Sequence, residues 1–442
     1  MRFICLLMVC VLLLPGCGVH RYYVKDEKAL GTTRRSPSLN HLAVYYPGGI
    51  ALNSPGYLIG IEDALPERIT RPGDLLFSGP NGNGNTIEYL KNQLREGKLP
   101  FISHIIRYSG KQYGEGDCAL YNYYRDHDGE LVPFCSLAKN IEVNRKDNNY
   151  KGAYKNSWLA LDVLKTQLTQ DLAGENYSHI VVLMMGMDTP QEMAVRDSNT
   201  IIWSIRRAAG PEFRPLVIVI SWPSFYDSRW LDPIWETLAY PAKADEADKL
   251  GLTWVGALML DVIGPLHGKI HTVAITHSFG ARAMTMATCV GPEIIRDKSY
   301  KRNGDQILDQ LVGFAPAFSL HRFLRAPYLM ESIHYPDTCS KGGRMILTSS
   351  NRDTASKMPI WVDLAGNYDD YRKFCRKKLD ISRTCLTADD RGQIKETYSR
   401  DDRFLYIDTT DLMKYYVPNT QGGAHSDIFR SQVGHLVWDV IH

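Results

Sequence analysis

Charge of one sign is scarce in this chain: 51 Lys and Arg stand against 49 Asp and Glu, a net of +2 over 442 residues. A balance so close to neutral offers no electrostatic footprint for nucleic acid. Repeats of 20 to 50 residues are missing, which excludes solenoids and propellers. Metal signatures are missing too. There is no Cys-x-x-Cys, no His-Glu-x-x-His and no His at zinc-finger spacing, so zinc is not expected. His267 and His271 are four apart, but Gly268 and a strand start near 270 speak against a helix that would align them as ligands. The run Gly79-Pro80-Asn81-Gly82-Asn83-Gly84-Asn85 lacks the Gly-Lys-Ser/Thr ending of a phosphate cradle. It reads instead as a turn, with Asn85 or Thr86 capping a helix over 86–95. No cofactor is expected.

What is present begins with an apolar run at the N-terminus, Phe3 to Leu14 behind Arg2. It is too short to span a bilayer and suits the hydrophobic part of an export signal. The next residues, Leu14-Pro15-Gly16-Cys17, resemble a bacterial lipobox, in which the Cys is acylated and becomes the first mature residue. Residues 1–16 are then a signal peptide and 17–40 a lipidated tether. Gly18 in place of the Asp that favours inner-membrane retention points to the outer membrane of a bacterial cell envelope. With Cys5, Cys10 and Cys17 set aside, six cysteines remain, an even number that suits an oxidising compartment. Proximity favours Cys118 with Cys135 and Cys375 with Cys385, which leaves Cys289 with Cys339.

From 41 to 150 short segments are cut by Pro and Gly, and the region reads as an irregular extension with a few strands and the helix at 86–95, of unknown role. From about 151 the pattern changes. Apolar runs at 180–185, 216–220, 270–275, 311–314, 345–347 and 404–407 alternate with helical stretches at 157–172, 191–209, 242–263 and 280–290. Continuous apolar runs mean strands covered on both faces. The fold class expected for 151–442 is α/β, a doubly wound, mostly parallel sheet.

The strand ending at 275 runs into Thr276-His277-Ser278-Phe279-Gly280 and a helix start of small residues. That is a variant of the strand, tight turn and helix that lift a nucleophilic Ser above a sheet. A hydroxyl needs a His to take its proton and an acid to fix that His. Downstream, Asp353 follows the strand at 344–349 and His425 lies in a Gly-rich loop after the strand at 404–407. His435 is the reserve base, and Asp337 and Asp363 are rival acids. Asp427 is expected to cap the final helix. His277, beside the nucleophile, is expected to be packed.

In this ordered set residues 177–442 resemble an α/β-hydrolase of the serine esterase and lipase kind. The likeness extends to Met185-Gly186-Met187-Asp188, where many bacterial members have His-Gly-aromatic-Asn, and to Ser221-Trp222-Pro223-Ser224 one strand later. Met185 and Asp188 depart from that pattern. The resemblance implies a Ser278, Asp353, His425 triad, an oxyanion hole from the N–H groups of Phe279 and Met187, and an ester or lipid substrate. The aromatic stretch Trp222, Trp230, Trp235, Tyr240 and Trp254 could wall an acyl pocket or simply pack. The alternative function is a catalytically inactive hydrolase fold serving as a binding or scaffold lipoprotein.

Overall fold

The computed structural model describes residues 51–62, 100–111, 114–123, 133–138, 151–187, 189–222, 224, 232–294, 306–324, 333–335, 339, 342–357, 363–376, 383–415 and 423–442. The expected signal, Cys17, the tether, the turn at 79–85 and the helix at 86–95 lie outside them. The elements in order are β1 (Pro55–Glu62), β2 (Phe101–Ser109), β3 (Cys118–Asn122), α1 (Lys151–Gly174), β4 (His179–Met184), α2 (Gln191–Ala209) and β5 (Pro215–Ser221). Then come α3 (Asp232–Leu252), α4 (Trp254–Ala257), β6 (His271–His277), α5 (Phe279–Thr285), β7 (Gln310–Phe314) and β8 (Arg344–Ser349). The chain closes with α6 (Tyr368–Arg376), β9 (Thr384–Thr387), β10 (Phe404–Asp408) and α7 (Ser431–Ile441).

Among the described residues ten strands share one sheet in the order β3-β2-β1-β5-β4-β6-β7-β8-β10-β9. β2 is antiparallel to both its neighbours, and the other pairings are parallel. The protein is therefore a mixed α/β structure on a mostly parallel sheet. The six apolar runs became β4, β5, β6, β7, β8 and β10. Alternate residues explain the layering, because successive side chains of a strand point to opposite faces. Ile180, Val182, Ile218 and Ala274 share a core with Trp158, Leu161 and Leu164 of α1 and Ala244 and Ala247 of α3. Val181, Leu183, Val219 and Ile275 pack with Val195 and Ile202 of α2 and Leu436 and Val440 of α7. Burying each Val, Leu or Ile is worth about 1.5–3 kcal/mol, so covering both faces is the main source of stability.

The region read as an irregular extension differs from expectation: β1, β2 and β3 extend the same sheet, and β1 lies inside it between β2 and β5. Its Gly residues look like breaks in sequence. At Gly56, however, a Cβ would fall 2.0 Å from the carbonyl oxygen of Val217, so the glycine is what lets β1 and β5 come together. The helix expected over 242–263 is interrupted at Thr253, and after α4 the chain continues as a π-helical turn, Leu258–Ile263. Lys243–Leu266 is long and apolar enough to cross a membrane, yet 67% of that window is buried inside the fold. Trp254 packs edge-on against Trp158 at 5.2 Å and donates from Nε1 to the Pro100 carbonyl. Trp222 is buried as well, so these two rings pack in the core. Trp230 and the Trp235 side chain lie outside the described set. The disulfides are Cys118–Cys135, Cys289–Cys339 and Cys375–Cys385, the pairs favoured by proximity and elimination.

Candidate active site

From β4 the chain winds first outward to β5, then returns to the other flank of β4 with β6. The loops leaving β4 and β6 therefore diverge, and a crevice opens between them at the carboxyl ends of the strands. Ser278 sits there, in the one-residue turn between β6 and α5, with φ 53° and ψ −120°. A non-glycine residue at that φ is strained and persists only where its surroundings fix it. Here they do. The Ser278 N–H donates to Phe314 O at 2.9 Å, and its carbonyl accepts from the N–H groups of Ala281 and Ala317, both at 3.1 Å. Gly280 must be small: a Cβ there would meet Met184 O at 2.1 Å, so α5 can start against the end of β4. Thr276, which stands where such turns usually have Gly, is accommodated because its Oγ1 donates to Val312 O on β7 at 3.0 Å.

A buried ionic group holds the turn from behind. Arg282 on α5 donates to Asp248 at 2.7 Å, and Arg322 binds both oxygens of that carboxylate at 2.9 and 2.8 Å. Arg282 also donates to Ala317 O at 3.2 Å, the residue whose N–H holds Ser278. Burial alone would raise the Asp248 carboxyl, but the two guanidinium charges keep it below the usual range. Removing one partner of such a group typically costs about 3–5 kcal/mol.

Asp353 and His425 come together across two loops. Asp353 bridges to Gly423, Ala424 N–H donates to Arg352 O at 3.0 Å, and His425 Nδ1 donates to Asp353 Oδ2 at 2.8 Å. Asp353 has a second set of donors that sequence reading missed: Ser356 gives its hydroxyl to Oδ2 at 2.6 Å and its N–H to Oδ1 at 3.0 Å. The signal was available in the Asp-x-x-Ser spacing of a capping turn. Desolvation raises this carboxyl, but His425 and Ser356 together hold it below the usual carboxylate value.

His277 is packed, as expected, and it also touches the candidate base. Its ring lies 4.6 Å from that of His425, and its Nε2 donates to the His425 carbonyl at 2.9 Å. Burial, followed by the neighbouring His425, pushes its pKa down to about 3. His277 thus ties the His425 loop to the residue before Ser278. Among the described residues the Ser278 hydroxyl makes no hydrogen bond to the His425 imidazole. Such contacts are often long until substrate is bound.

Phe279 opens α5 directly after Ser278, and its ring rests against Tyr240 at 5.2 Å. Met187 follows Gly186, where a Cβ would fall 2.6 Å from the Ser278 Cβ. The two expected N–H donors therefore belong to the two segments that flank Ser278. Asp188 lies outside the described residues. Of the rivals, His435 is exposed on α7, Asp363 faces His321 at 3.4 Å, and Asp337 lies outside the described residues. Asp427 does not cap the final helix, whose N-cap is Arg430 with no side-chain bond. Placed four residues ahead of that helix, it accepts the N–H groups of Lys414 and Tyr415 and two bonds from Arg430. Among the described residues no group of His, Cys, Asp and Glu could hold a metal ion.

No protein-family model matches the chain, and no curated protein matches it. Among solved structures, a Trichoderma reesei cutinase in complex with a C11Y4 phosphonate inhibitor is similar over 42% of this chain and 78% of its own, with 12% identity and a TM-score of 0.21.

Proposed function

We propose that this chain is a serine hydrolase of the α/β-hydrolase kind that cleaves a carboxylic ester and is held to a bacterial envelope membrane by lipid on Cys17. The observation that carries the reading is Ser278 at positive φ on a strand-to-helix turn, with His425 bonded to the buried Asp353 and tied to the neighbouring His277. In this reading Ser278 Oγ attacks the acyl carbon and His425 takes its proton, then returns it to the leaving alcohol. Asp353 holds the imidazolium, and the N–H groups of Phe279 and Met187 receive the oxyanion. Water then hydrolyses the acyl-enzyme by the same route.

A second reading, a catalytically inactive binding or scaffold protein, is favoured by one observation, the missing Ser278–His425 hydrogen bond. Fluorophosphonate labelling separates the two, because it needs an activated Ser. Wild type should be labelled at Ser278 and should hydrolyse p-nitrophenyl acetate or butyrate. A wild type inert to the probe and to both esters would favour the scaffold. For the anchor, Cys17→Ser should release the protein from membranes, and a mature N-terminus without acyl groups would remove this part of the proposal.

A further inference from the structure

We infer that Trp222 and Ser224, on the segment after β5, are positioning residues that hold the loop after β4, and with it the Met187 N–H, against Ser278. The inference rests on the hydrolase reading above. β4 ends at Met184, so the loop that follows has no ladder to orient its peptide groups, and its direction is set by whatever else binds it. Two side chains do so, one at each end. Trp222 Nε1 donates to Met185 O at 3.0 Å. Ser224 Oγ accepts the Thr189 N–H at 3.0 Å and donates to the Thr189 carbonyl at 2.9 Å, so one hydroxyl satisfies both polar groups of one residue. Both side chains are buried, at 3% and 1% exposure, where such bonds are strong and water does not compete.

Between the two fixed points lie Gly186, in contact with Ser278, and Met187, whose carbonyl accepts from Thr189 Oγ1 at 3.3 Å. The segment after β5 and the loop after β4 are thus one unit, and the Ser-Trp-Pro-Ser motif supplies both of its fastenings. A donor aimed at a developing oxyanion must be fixed before the reaction, and a displacement of about 1 Å can cost on the order of 100-fold in rate.

The test compares Ser224→Ala, Ser224→Thr and Trp222→Phe with wild type on a short p-nitrophenyl ester. Rates are divided by the number of sites titrated with fluorophosphonate, and Tm is read in parallel. Ser224→Ala should lower kcat per titrated site by about 10- to 100-fold with KM within about twofold. Ser224→Thr, which keeps the hydroxyl, should recover most of that. Trp222→Phe keeps the ring and loses only the N–H, so it remains informative if Ser224→Ala folds poorly, and it should lower kcat in the same sense. If both Ser224→Ala and Trp222→Phe keep kcat per titrated site within twofold, the two residues only pack and the inference is wrong. A wild type that is neither labelled nor active would instead remove the hydrolase reading on which it stands.

Discussion

At the carboxyl ends of the strands, His425 meets Asp353 at 2.8 Å with side chains 15% and 0% exposed. At the amino ends, His267 and His271 meet Asp309 at 3.2 and 3.6 Å with side chains 26%, 33% and 25% exposed. That second end even has a cavity of about 540 Å³, lined by His271, Asp309, Arg344 and His442 among others. The difference lies in what surrounds each carboxylate. Asp309 accepts the Thr272 N–H and hydroxyl, at 2.7 and 3.0 Å, and so serves the start of β6, while its imidazole contacts are weakened by solvent. Asp353 is sealed from water and fixed by Ser356, next to a loop that touches the segment of a strained serine. Among the described residues the non-glycine residues at positive φ are Ser278, Ala315 and Cys339, and none lines the amino-end cavity. The two ends therefore differ in two features, the strained Ser278 turn and a carboxylate shielded from water, and both lie at the carboxyl ends.

The comparison can be broken most sharply by activity. On the proposed triad, whose members would act as a unit, Ser278→Ala and His425→Ala should each reduce ester turnover by roughly 10⁶-fold, to a similar residue. Asp309→Asn and His435→Ala should stay within about twofold of wild type in the same assay. If His435→Ala abolishes turnover and His425→Ala does not, the assignment of the base is wrong. Asp353→Asn should cost less, roughly 10⁴-fold, by spoiling the His425 tautomer. Loss of turnover in Asp309→Asn with Asp353→Asn intact would place the chemistry at the other end of the sheet. Ser356→Ala removes one donor to a buried carboxylate, and about a tenfold loss is expected.

Stability against pH sharpens the same contrast at smaller scale. His277, pushed down to about 3 by burial and then by His425, is neutral in the fold and charges in the unfolded chain near its ordinary value of about 6.5. Its contribution is therefore fully present above about pH 6.5 and is lost progressively as pH falls toward 3, at up to about 1.4 kcal/mol per pH unit. His179, at the amino end, is lowered to about 4 by burial and then by His271, and acts in the same direction. Asp353, lowered in the fold, is lost at still more acidic pH by the same sign rule. Urea denaturation between pH 7 and 4 should show the slope, and His277→Gln should flatten part of it. An unchanged slope would mean that His277 titrates alike in the folded and unfolded chain and is not lowered by burial.

Strand positions from 179 onward, the edge strand β9 excepted, were legible because their apolar runs are continuous, as burial on both faces demands; β9, Thr384–Thr387, is half-exposed and has no such run. The positions of Ser278, Asp353 and His425 at strand ends were legible from their order along the chain. The place of β1, β2 and β3 in that sheet was not. β1 pairs with β5 about 160 residues away, and Gly56 is in the strand to let a neighbour in, so it looks like punctuation when read locally. The Asp248, Arg282 and Arg322 group was hidden for another reason. Charges 34 to 74 positions apart carry no periodic signal, and a buried ionic cluster looks in sequence like an ordinary solvated surface. Asp427 misled because a carboxylate near a helix start reads as a cap, whereas this one binds backbone N–H groups 12 and 13 residues upstream.

The seat of β1 within the sheet bears on how the chain can be cut. A fragment starting at residue 151 looks natural from the change of sequence pattern, yet it would strip β5 of the neighbour that pairs with Val217 to Ser221. It would leave a bare parallel edge of seven buried residues, Pro215–Ser221, and such an edge is a template for joining other chains. That edge belongs to the strand whose following segment fastens the loop beside Ser278. Trimming at the front of the chain would therefore be felt first as self-association and then as a loosened loop beside Ser278, far from the cut.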